Sequence, residues 1–180
     1  MTPGETAAHG GALGRPSDEL LARRYALAAE EAAREVRLFE ARDLHARMRA
    51  AVDAIWTHLS TVGISWVGFY LPEAGPDGEH LVLGPSRNKP ACSPIGLHGV
   101  CGQGYRNRTP QIVEDVRLLG PNYIACDPRD RSEVVLPLFE EGSDGRCVAV
   151  LDVDSHEPGR FGAADVAGLR QVLAAAGLRS

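Results

Sequence analysis

The chain has 180 residues, 44% of them hydrophobic, and a formal net charge of -5, which suits a single core with some terminal decoration. Seven early arginines (Arg23, Arg24, Arg34, Arg37, Arg42, Arg47 and Arg49) are interleaved with acids, the pattern of a solvated helix face rather than the undiluted basic stripe of a nucleic-acid binder. Met1 to Pro16 shows no charged n-region or apolar h-region and no run reaches membrane length, so a soluble, cytoplasmic protein with no membrane partner is expected.

Taken in chain order, residues 1–16 are rich in Gly, Ala, Thr and Pro and are expected to be disordered. From Ser17 to Val62 there is no Gly or Pro. Ser17 is a cap with Asp18 and Glu19 in the first turn, and the spacing predicts helix throughout, broken near Glu40 to Asp43. Leu44, Met48, Val52, Ile55 and Leu59 then form a core stripe of their own at helical spacing. The first helix is expected to be a packing or homodimerisation element, and the second to lie on a sheet.

After Gly63 the pattern becomes β. Ile64 to Leu71 and Glu79 to Leu83 read as strands joined through Pro72 to Gly78, and Gly84 to Gly104 carries too much glycine and proline for regular structure. Gln111 to Glu114 reads as a brief strand, Ser132 to Phe139 and Arg146 to Asp154 as stronger ones with a turn over Glu141 to Gly145, and Ala163 to Ala176 as a closing helix. The order indicates an α+β fold, an antiparallel sheet with helices packed on one face.

Three of the four cysteines, Cys92, Cys101 and Cys126, fall in the irregular middle, directly before strands that carry Glu133, Asp152 and Asp154. In a reducing compartment such thiols are more often catalytic or metal-bound than structural. Strand alternation puts Asp152 and Asp154 on one face and Cys147 on the other, and gives Trp66, Gly68 and Tyr70 a shared face that would suit a pocket wall. Asp152, between Leu151 and Val153, needs a partner or a function if its strand is buried. No Cys-x-x-Cys pair is present, and His98 with Cys92 and Cys101 fits no common zinc spacing, so no metal is expected.

The segments Trp66-Val67-Gly68-Phe69-Tyr70, Lys89-Pro90-Ala91-Cys92, Gly99-Val100-Cys101-Gly102, Ile124-Ala125-Cys126-Asp127, Ser132-Glu133-Val134-Val135-Leu136-Pro137-Leu138 and Leu151-Asp152-Val153-Asp154-Ser155 together resemble, in order, the free methionine-R-sulfoxide reductases, which are single GAF domains. The likeness runs from about Leu59 to Val172. Tyr123 stands where that family's pattern has a histidine, and the loop between Cys92 and Cys101 is a residue shorter.

The resemblance implies a helical extension over 17–43 followed by a GAF domain over 44–178. It implies Cys126 as nucleophile, Cys92 and Cys101 as candidate resolving thiols, and Trp66, Tyr70, Glu133, Asp152 and Asp154 around the substrate. The activity implied is reduction of free methionine-R-sulfoxide through a cysteine sulfenic acid and an intramolecular disulfide. No cofactor is needed beyond an external dithiol such as thioredoxin. The competing reading is a GAF module that senses a small ligand or the redox state without catalysis.

Overall fold

The computed structural model describes residues 15–88, 90–120, 123 and 126–180. Of the leader expected to be disordered over 1–16, residues 1–14 lie outside the described residues, while Arg15 donates to Asp165 Oδ2 at 3.3 Å. Helix α1 (Asp18–Leu38) is capped by Ser17, whose hydroxyl accepts from the Leu20 N–H. The break lies where the sequence places it: Glu40 has a left-handed backbone, and Asp43 caps α2 (Leu44–Leu59) by accepting from the Ala46 N–H at 2.8 Å. A carboxylate at that position satisfies one of the N–H groups left free at a helix start and complements its dipole.

The strands are β1 (Trp66–Gly75), β2 (Gly78–Arg87), β3 (Gln111–Val113), β4 (Ser132–Phe139) and β5 (Cys147–Ser155). They form one antiparallel sheet in the order β2-β1-β5-β4-β3. The first two strands are longer than expected: β1 runs through Pro72 to Gly75, and the hairpin closes over Pro76 and Asp77 alone. The stretch from Gly84 to Gly104 is also less irregular than its composition suggests. Strand β2 continues to Arg87, and Val100–Asn107 forms a short helix, α3, packed on β4 and β5.

Helices α1, α2 and α4 (Ala163–Ala175) share one face of the sheet, over a core that includes Tyr25, Met48, Ile55, Leu59, Val67, Phe69, Leu136, Leu151, Leu169 and Leu173. Leu44, the expected first member of the α2 stripe, is 37% exposed at the helix start. Helix α1 belongs to this core. Its Tyr25 ring lies on Gly168 of α4, and the Tyr25 hydroxyl donates to Asp165 Oδ1 at 2.9 Å. Arg160, fully buried, donates to the same oxygen at 2.8 Å and to the Val62 carbonyl. A buried ion pair of this kind fixes how its elements dock more than it adds net stability. Here it ties the segment after β5 to α1 and α4.

The opposite face of the sheet carries a second, smaller cluster: Trp66, Tyr70, Leu81, Ile95, Val100, Cys101, Val135, Cys147 and Val150. Cys147 belongs to this face, not to the helix side that strict alternation assigns it. The register shifts between Leu138 and Phe139: Leu138 faces Ala149 while Phe139 faces Cys147, so Val148 is an extra residue. Such a bulge resets side-chain parity at its site. From Ala149 onward the alternation holds, with Asp152 and Asp154 opposite the helices.

Candidate active site

Three adjacent strands present a small grid on the face away from the helices. Trp66, Asp154 and Glu133 form one row, each pairing with the next across β1, β5 and β4; Gly68, Asp152 and Val135 form the next. Tyr70, Val150 and Pro137 form the third. Two periods of alternation on each strand, brought into register, thus gather two aromatics and three acids in one place. Gly68 is what lets the wall fold over. A Cβ there would lie 2.4 Å from Trp66 Cη2, so the indole covers the glycine and comes to 5.9 Å, centroid to centroid, from Tyr70.

Helix α3 closes the grid from above. A Cβ on Gly104 would meet Val135 Cγ1 at 2.8 Å, so glycine there allows the helix to sit close to β4. That approach seats Cys101 over the acids: its Sγ and carboxylate oxygens of Glu133 and Asp152 lie within 4.8 Å of one another, all on buried residues. Burial pushes the Cys101 thiol up, and Asp152 and Glu133 push it further, so it stays protonated near neutral pH.

The loop after β2 supplies the next wall. It is held by Ile95, which exchanges backbone hydrogen bonds with Leu81, by Ser93, whose hydroxyl accepts from the Leu83 N–H, and by the Tyr70 hydroxyl, which donates to the Cys92 carbonyl at 2.9 Å. On the far side Asp127 accepts the Arg129 backbone N–H and its guanidinium, shaping the turn that begins at Cys126. Cys92 and Cys126 are joined by a disulfide across 34 residues. The cysteines therefore differ in state: Cys126 is bonded to Cys92, while Cys101 and Cys147 are free and buried.

The cavity so formed is partly open and has a volume of about 40 Å³. All of Trp66, Tyr70, Cys101, Cys126, Glu133, Asp152 and Asp154 line it, and Cys92 adjoins through the disulfide. Removal from water raises the acids of Glu133, Asp152 and Asp154 well above the ordinary carboxylate range, and each raises its neighbours further. Buried carboxyls that cannot all ionise keep protons at neutral pH. Two polar atoms of the wall, Trp66 Nε1 and Asp152 Oδ1, are buried with no partner among the described residues, which marks the cavity as built for a polar occupant.

Asp130 is a fourth acid on the cavity that sequence reasoning missed. It accepts from the Ser65 hydroxyl at 3.1 Å and lies 3.6 Å from His156 Nε2, and burial carries its pKa up to about 6. It sits in a turn, where no period fixes direction. His98 is exposed, away from any such grouping among the described residues. Tyr123 lines the cavity where the related pattern has histidine.

Comparison with known proteins places the fold in a family. The GAF domain family profile matches residues 41–178. Protein ZMO0507 of Zymomonas mobilis is 37% identical over 137 residues, 76% of this chain and 80% of its own. The free methionine-R-sulfoxide reductase of Escherichia coli is 43% identical over 62% of this chain, a match spanning 63% of that enzyme. The solved structure of free methionine-R-sulfoxide reductase from Neisseria meningitidis in complex with its substrate superposes with a TM-score of 0.64, at 31% identity over 92% of both chains.

Proposed function

The chain belongs to the free methionine-R-sulfoxide reductases of the GAF domain family, and on that premise we propose that it reduces free methionine-R-sulfoxide with its own thiols. The observation that carries the reading is the meeting, in one cavity, of a row of carboxyls whose burial favours the protonated form with one end of a two-cysteine pair. Neither half would serve alone. A sulfoxide sulfur becomes a good electrophile as its oxygen gains a proton, and a thiolate is the nucleophile that attacks it.

In this proposal Cys126 attacks the sulfoxide sulfur as its thiolate while a carboxylic acid, Glu133 or Asp152, protonates the oxygen. The oxygen passes to Cys126, leaving methionine and a sulfenic acid. Cys92 condenses with that sulfenic acid: the S–S bond forms and water leaves. An external dithiol, for which thioredoxin is the proposed source, then exchanges with the disulfide and returns both thiols. Sulfur of the substrate is reduced by two electrons, and the two cysteines supply them. Cys92 is favoured over Cys101 as resolving partner because it is the one bonded to Cys126.

Trp66 and Tyr70 would flank the apolar methyl-thio end of the substrate. A carboxylate left ionised in the row would pair with its ammonium, a group that methionine sulfoxide inside a peptide does not have, which gives selectivity for the free amino acid. No metal or organic cofactor enters the scheme. The test is turnover of the R and S epimers with a thioredoxin system, followed by NADPH consumption. Turnover of the R form, and its loss in Cys126→Ser, is expected. Ligand binding without turnover would instead favour a sensor.

A further inference from the structure

We propose that the trio Cys101, Glu133 and Asp152 is an inhibitory zinc site, able to hold one Zn²⁺ whether or not the Cys92–Cys126 disulfide is formed. The sulfur and two carboxylate oxygens lie within 4.8 Å of one another, on residues no more than 8% exposed. Zinc at its usual distances of about 2.0–2.3 Å from such ligands needs them roughly 3.3–3.8 Å apart. Small rotations of three side chains that already converge would bring them there.

A second, separate observation points to a ligand. Asp152 Oδ1 is buried on the cavity wall with no partner among the described residues. A bound cation would satisfy it and draw the clustered negative groups together. The cavity has space for the water that would complete the shell.

The donor set chooses the metal. One thiol with carboxylates suits zinc better than magnesium or calcium, which take oxygen donors only. Binding is a proton exchange: Zn²⁺ enters, the Cys101 thiol and any protonated carboxyl lose their protons to solvent, and no electrons move. Cys101 is the free thiol of the site, so zinc capture does not require reduction of the disulfide. The ion would occupy the acids that the substrate needs, and the two would exclude one another. That last point alone rests on the proposed function.

The experiment uses the full chain, oxidised and reduced, dialysed against zinc chloride and assayed for bound metal, with cobalt(II) as a spectroscopic substitute. Expected are one saturable equivalent in both states, a near-ultraviolet thiolate-to-cobalt band, and retention of binding in Cys92→Ser. Loss of the band is expected in Cys101→Ser. In Asp152→Asn, affinity should fall by at least about tenfold, the cost of losing even an outer-sphere partner. The proposal is overturned by absence of saturable binding, by a thiolate band that survives Cys101→Ser, or by binding confined to the reduced protein. Should Cys101→Ser not fold, Asp152→Asn and the wild-type cobalt spectrum decide. Methionine-R-sulfoxide is expected to raise the zinc concentration for half saturation. Zinc binding without that competition supports the metal site and counts against the proposed substrate seat.

Discussion

Glu133 and Asp154 stand directly opposite one another across the β4–β5 ladder, and both face the same cavity. Facing acids in a cross-strand pair repel once both are charged, and burial denies them the water that would screen the repulsion. Folding therefore raises their affinity for protons.

The sign of the pH dependence follows. In the unfolded chain these carboxyls lose their protons near pH 4; in the folded chain they, Asp152 and, to about 6, Asp130 keep them to higher pH. Between those limits the folded state binds more protons, so stability falls as pH rises. Thermal melts from pH 5 to pH 8 should show a declining midpoint. Asp154→Asn should flatten the decline and raise the midpoint at pH 8. An unchanged slope would remove the repulsion argument.

The cysteines should separate by turnover number. Cys126→Ser is expected to abolish methionine formation. Cys92→Ser should retain a single turnover, with one methionine released per chain, but fail to recycle through a disulfide. Cys101→Ser should still form the Cys92–Cys126 bridge, seen by mass spectrometry after alkylation. A bridge between Cys101 and Cys126 in the working cycle would reassign the resolving thiol.

Removing the proton donor should slow chemistry without removing the thiols. For Glu133→Gln or Asp152→Asn a loss of roughly 10²–10⁴-fold is expected, the range for a positioned general acid. Single-turnover rates across pH would check it. A variant that kept the wild-type pH profile at full rate would exclude that residue as the donor.

Gly104→Ala tests the closure of α3 on the sheet. The added methyl meets Val135 at 2.8 Å, so the helix must retreat, at a cost of about 1–3 kcal/mol. Cys101 should retreat with it. Alkylation of Cys101 by a small reagent, slow in the wild type because the thiol is buried, should accelerate in the variant.

Asp165→Ala tests the clamp behind the sheet. It strands the Arg160 guanidinium, which is wholly buried, and removes the acceptor of Tyr25. A loss of about 3–5 kcal/mol is expected from an uncompensated buried charge. Denaturant unfolding would measure it, and Tyr25→Phe, which keeps the ion pair, should cost much less.

How much of this could be read beforehand depended on periodicity. Helix α2 and strands β4 and β5 carry long, regular patterns, and they appear within a residue or so of expectation. The same alternation placed Asp152 with Asp154 and Trp66 with Tyr70. It failed at Cys147 because one bulged residue, Val148, inverts the count and leaves no mark in composition. Helix α3 was hidden by Gly102 and Gly104, which read as loop residues but serve close packing. Asp130 and the pairing of Cys92 with Cys126 depend on how turns fold back, and local pattern carries no information about that.

The indole resting on Gly68 gives the molecule an optical probe of its own. The chain has two tryptophans. Trp56 packs against the helix-side core, whereas Trp66 lies beside the acids and the disulfide-bearing loops. In a Trp56→Phe background the remaining emission would come solely from the cavity wall. Filling the cavity, breaking the bridge or ionising the row could then each be followed by light, without labelling the protein.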